Sequence, residues 1–184
     1  MWKKIVVLIF LFYFLALLQT SFFVHFSLFG VVPDLVFIFY FGFTFFSAKK
    51  NQLLGNRRVY EMVFLAITAG FFLDIFQLSY LGLSVLSFLI IGFALIRAQS
   101  ALMNKDEGYP LSYFLSIFII SLLGYYLLLG LFLNYSSPIN IFSFFSYKTF
   151  FSIIYDSLFA IVFFYLYRIT NKINLPTRQL KLFR

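Results

Sequence analysis

The chain has 184 residues, of which 63% are hydrophobic, 24% aromatic and 11% charged, against roughly 45 to 50% apolar and about 25% charged in a soluble domain. A water-soluble fold is excluded, because so much Phe, Leu and Ile would surface as apolar patches beyond the few hundred Å² that monomers tolerate. The formal net charge of +8, with no Cys and one His, excludes disulfides, thiolate metal sites and a Cys nucleophile, and the distribution of the charges argues against nucleic acid as a partner.

Six apolar runs approach the ~20 residues that a helix needs to cross a hydrocarbon core: 5–24, 31–48, 59–77, 81–96, 111–133 and 149–167. The first follows Lys3 and Lys4 as a signal peptide would, but it lacks an A-x-A cleavage pattern and reads as a retained helix. The second and fourth are short. The runs are apolar on every face and do not alternate, which argues for helices over a β-barrel. The predicted fold class is therefore an all-α polytopic membrane protein with six transmembrane helices. It forms one integral membrane domain over 1–184, with a basic tail at about 168–184.

Cytoplasmic loops are enriched in Lys and Arg. Alternate loops here collect Lys3, Lys4, Lys49, Lys50, Arg57, Arg58, Arg97, Lys105, Arg168, Lys172, Arg178, Lys181 and Arg184, leaving only Lys148 of the 14 cations on the other side. Both termini are expected in the cytoplasm. The cations are expected to lie against anionic lipid headgroups, at about 1 kcal/mol each.

Helices in lipid associate through small residues and interhelical hydrogen bonds, so small and polar residues four apart mark buried faces. Ala66, Gly70 and Asp74, with Gln77 three further on, form one such stripe. Ser112, Ser116 and Gly124 form a second, and Ser152, Asp156 and Ala160 a third.

On this orientation Asp34, Asp74 and Asp156 all fall toward the outer face, where only Lys148 and His25 could pair with them. An acid inside a membrane helix costs about 2.5 to 3.5 kcal/mol at the centre and less near the interface, so each needs a partner. Asp34 follows Pro33 at a helix start, where a carboxylate caps well. Asp74 lies toward the C-terminal end of its own helix, where the dipole disfavours an anion, so capping is not expected of it. At least one acid lacks a countercharge within the chain. Protonation, a hydrogen bond from Tyr, Ser or Gln, or a second protein could each meet that need.

The chemistry of an enzyme is thin. No H-E-x-x-H, G-x-S-x-G, P-loop or dinucleotide fingerprint occurs, and Asp106 and Glu107 are neighbours in a polar loop. The expectation is a protein that is not an enzyme, with no metal and no cofactor.

Val32-Pro33-Asp34-Leu35, then Gly70-Phe71-Phe72-Leu73-Asp74, then Leu81-Gly82-Leu83-Ser84 resemble the rod shape-determining protein MreD family, with its Pro-Asp start, its Gly-containing helix ending in Asp and its Leu-Gly turn. The resemblance implies a noncatalytic scaffold of the bacterial inner membrane that partners MreC. It also implies work with MreB, RodA and a class B penicillin-binding protein in directing peptidoglycan synthesis and cell shape. The fold it implies is similar to the S components of energy-coupling-factor transporters. Asp34 and Asp74 match the motifs; Asp156 does not, and is a candidate on the reading of the residues alone. Together with Gln77 these acids define an expected polar cavity or partner-binding rim, to which the loop 135–147 adds aromatic rings. Ala66, Gly70, Gly82, Ser116 and Gly124 are the expected packing residues. The competing expectation is a solute-binding transport subunit of the energy-coupling-factor type, with a pocket near Asp74, Asp156 and Gln77. Ala16, alone where such subunits often carry an Ala-x-x-x-Ala pattern, weighs against it.

Overall fold

A computed structural model describes residues 2–27, 30–50, 55–77, 80–102, 110–133 and 147–173. The chain is all-α: α1 (Trp2–Leu17), α2 (Leu35–Lys50), α3 (Gly55–Phe76), α4 (Leu83–Leu102), α5 (Leu111–Leu133) and α6 (Tyr147–Ile173). α1 runs on through a π turn, Leu18–Phe22, and a 3-10 turn, Phe23–Phe26. Residues 134–146, most of the expected aromatic loop, and 174–184, most of the expected basic tail, lie outside the described residues.

Among the described residues four stretches are long and apolar enough to cross a bilayer: Ile5–Phe26, Val59–Phe76, Leu111–Phe132 and Tyr147–Thr170. The chain is a multi-pass membrane protein. The remaining two apolar helices, Leu35–Ser47 and Leu83–Gln99, are shorter, and they coincide with the two short runs in the sequence.

α2 lies in the middle of the bundle. It packs against α1, α3, α4 and α6, and its rings reach α5 through Phe41 and Phe114 at 5.4 Å. A helix apolar on all sides belongs in the interior, and from Leu35 to Phe46 only Phe39 and Phe43 are less than buried. Phe37 stacks on Tyr125 at 5.0 Å, Tyr40 on Phe88 at 4.6 Å, and Phe41 meets Phe118 edge-on at 5.1 Å. Such ring pairs contribute about 0.5–1.5 kcal/mol each beyond area burial.

Successive helices run antiparallel. One end gathers the C-terminal ends of α1, α3 and α5 with the starts of α2, α4 and α6, as the bonds Gln19 to Val36, Asp74 to Ser84 and Tyr126 to Ser152 show. At the opposite end Phe46 stacks on Tyr167 at 3.7 Å, and the Gln99 side chain donates to the Phe45 carbonyl at 3.2 Å. That second end carries Lys3, Lys4, Lys49, Lys50, Arg57, Arg58, Arg97, Arg168 and Lys172 within its helices. The molecule thus has an acid end and a basic end.

Candidate functional site at the acid end

Asp34, Asp74 and Asp156 are all buried and all lie at the acid end. α2 starts at Leu35, directly after Asp34. Pro33 fixes the approach, and the Asp34 Oδ1 accepts the Phe37 N–H at 3.2 Å, the third helical residue, as an N-cap does. The next free amide, Val36 N–H, donates to Gln19 Oε1 at 3.3 Å. Gln19 is buried in the π turn that ends α1.

Asp156 belongs to the same cluster. The Asp34 backbone N–H donates to Asp156 Oδ1 at 2.7 Å. Tyr126 of α5 donates to Asp156 Oδ2 at 3.2 Å, and Ser152, one turn earlier on α6, donates to the same oxygen at 3.2 Å. The Tyr126 and Ser152 hydroxyls are 2.5 Å apart. The groups meeting Asp34 and Asp156 among the described residues are amides and hydroxyls. α1, α2, α5 and α6 are therefore joined through one polar network, whose failure at any buried group would cost about 1–3 kcal/mol.

Asp74 overturns the expectation that capping could not explain it. Its Oδ2 accepts the Gly82 N–H at 2.7 Å and its Oδ1 the Ser84 N–H at 3.0 Å. α4 begins at Leu83, so the carboxylate at the end of α3 closes the positive end of α4, where an anion is favoured. The unfavourable dipole of its own helix is offset by the favourable dipole of the next. The Tyr125 ring of α5 lies 5.3 Å from that of Phe88 on α4, one turn beyond Ser84, which brings a third helix beside this junction.

The small residues divide. Ala66 is fully buried. At Gly70 α3 and α4 pack closely: a Cβ there would lie 2.6 Å from the Val85 Cα and 2.9 Å from the Ser84 carbonyl carbon. The stripe Ala66, Gly70, Asp74 is thus one buried face. Gln77 leaves it and is exposed, because α3 stops at Phe76 and three-residue spacing keeps a face only while the helix continues. Gly82 packs no helix. It is an exposed turn residue with φ of +99°, a left-handed conformation natural to glycine, and it presents its N–H to Asp74. Ser116 is exposed and donates within its own helix to the Ser112 carbonyl at 2.9 Å. Gly124 is half-buried, with nothing within 4 Å of an added Cβ. The α5 stripe therefore faces out of the bundle, while Ser152, Asp156 and Ala160 on α6 are buried.

Gln19, Tyr125 and Tyr126 are missing from the sequence-based site. A lone amide in an apolar run was the signal for Gln19. The tyrosines gave none, being two of 13 in the chain.

Around the buried network the acid end exposes large apolar side chains: Phe22, Val24 and Phe26 after α1, Tyr80 and Leu81 before α4, and Tyr147 and Phe150 on α6. Comparison of the chain with protein-family models, curated proteins and solved structures finds no match.

Proposed function

We propose that this chain is a noncatalytic scaffold of the MreD type in the bacterial inner membrane. On this reading both termini are cytoplasmic, α2 and α4 complete six membrane-crossing helices in an S-component-like arrangement, and the acid end faces outward. Its partner is MreC, and through it the chain serves the cell-elongation complex with MreB, RodA and a class B penicillin-binding protein.

The observation that carries the reading is the meeting of the motif segments. Asp74 holds the amides of Gly82 and Ser84, Gly70 packs on the backbone of Ser84 and Val85, and Asp34 begins the helix at the bundle centre. Two of the three segments that resemble one family's motifs meet at a single helix junction, and the third starts the central helix. The acids act by fixing helix ends, and the exposed rim of Phe26, Tyr80 and Leu81 is the surface that docks the partner. Rigid presentation of such a rim lowers the ordering cost of association.

The solute-binding alternative calls for room in the bundle, and the middle is filled by Phe37, Phe41, Phe88, Phe118 and Tyr125, all fully or almost fully buried. That filling favours the scaffold.

The test is co-purification with MreC of chains carrying Asp74→Ala, Asp74→Asn or the pair Tyr80→Ala and Leu81→Ala. The rim pair is expected to lose the partner while the bundle stays folded, and Asp74→Ala to lose more partner than Asp74→Asn. Undiminished MreC yield in all three contradicts the docking role.

A further inference from the structure

α1 and α6 both lie on α2, yet they make no extended contact with each other among the described residues. Between Ile5 and Leu11 α1 packs only Leu8 and Leu11, both half-buried, against the core, and its fully buried residues begin at Phe12. Toward the basic end, α2 leaves one stripe half-covered: Phe39, Phe43 and Ser47, four residues apart. Phe163 of α6 borders it, with ring centroids 4.8 Å from Phe39 and 5.9 Å from Phe43. Toward the acid end the gap is shut by Phe23 against Phe159 at 5.6 Å and by Tyr155, whose hydroxyl donates to the Phe26 carbonyl at 3.4 Å. The result is an apolar furrow floored by α2, closed at one end and open at the other.

The open end is where the cations collect. Lys3 and Lys4 begin α1, Lys49 and Lys50 end α2, and Arg168 and Lys172 lie in the last turns of α6. From Phe39 to Lys49 is ten residues of helix, about 15 Å at ~1.5 Å per residue, which is half of a ~30 Å hydrocarbon core. The furrow therefore has the depth of one leaflet, and the helix positions at its open end are occupied by basic residues.

We propose that this furrow is a binding site for an anionic phospholipid of the leaflet at the basic end, with an acyl chain along Phe39, Phe43 and Phe163 and the phosphate among the surrounding cations. The site is separate from the partner rim and does not depend on the MreC reading.

The chain has a single Trp, Trp2, so the double substitution W2F/S47W puts the sole indole in the furrow. Purified protein is reconstituted in phosphatidylcholine vesicles containing either brominated phosphatidylglycerol or brominated phosphatidylcholine. At equal mole fraction the anionic lipid should quench with an apparent affinity about fivefold higher for each cation it engages. Adding K49Q, K50Q, R168Q and K172Q should bring the two lipids level. Equal quenching before neutralisation, or emission indifferent to both lipids, overturns the proposal; the second result would assign the furrow to protein. Native mass spectrometry of the unsubstituted chain guards against misfolding of the reporter. Retained phosphatidylglycerol that the four neutralising substitutions remove supports the site, and its absence overturns it.

Discussion

Asp74, two residues before the last of α3, holds the amide of Ser84 at 3.0 Å, and so the end of one helix closes the start of the next. The same carboxylate takes the Gly82 amide at 2.7 Å. Hydrogen bonds to a charged group contribute about 1.5–3 kcal/mol each. Asp74→Ala should destabilise the protein by about 3 kcal/mol and Asp74→Asn, which keeps one acceptor oxygen, by about half as much. Thermal or denaturant unfolding in detergent measures the order; equal losses would show that the junction depends on the intact carboxylate and that a single remaining acceptor oxygen contributes nothing.

Gly70→Ala and Gly124→Ala should have opposite signs. At Gly70 the new methyl meets backbone atoms of Ser84 and Val85, and overpacking costs about 1–3 kcal/mol. At Gly124 nothing lies within 4 Å, so the better helix propensity of Ala should stabilise by up to about 1 kcal/mol. Unfolding midpoints of the two variants decide.

Gly82→Ala should cost about 1 kcal/mol from backbone strain alone, since φ is +99° with open space around the position. Reduced stability with unchanged helix content by circular dichroism is the expected pair of results.

Asp156→Ala leaves the Asp34 amide without its acceptor and should destabilise by about 1–3 kcal/mol. Tyr126→Phe, which removes one donor but leaves Asp156 its bonds from Asp34 and Ser152, should cost about 1 kcal/mol. The two changes touch one network, so their combination should cost less than their sum. Strict additivity of the unfolding free energies would show that Tyr126 and Asp156 act independently.

The helices were legible because apolar runs of membrane length leave few alternatives, and Leu111–Leu133 coincides with its run to the residue. The Ala66, Gly70, Asp74 stripe was legible from spacing, since four-residue periodicity is a property of the helix itself. What Asp74 does was not. Its partners lie eight and ten residues away across a turn, and the dipole of its own helix suggested the opposite. Periodicity on α5 also misled. Spacing shows that Ser112 and Ser116 share a face but not whether the face looks in or out, and tertiary packing turned it outward. Gln77 failed for a local reason, the helix ending one residue before it.

The account rests on buried carboxylates whose acceptors are filled by the amides that start α2 and α4. Residue-resolved amide hydrogen exchange by NMR, comparing the unsubstituted chain with Asp74→Ala, tests this most directly. The amides of Gly82, Ser84 and Phe37 should be protected in the unsubstituted chain, and the substitution should release Gly82 and Ser84 while leaving Phe37 slow. Fast exchange at Gly82 and Ser84 with Asp74 intact would contradict the capped junction and the rigid acid end built on it.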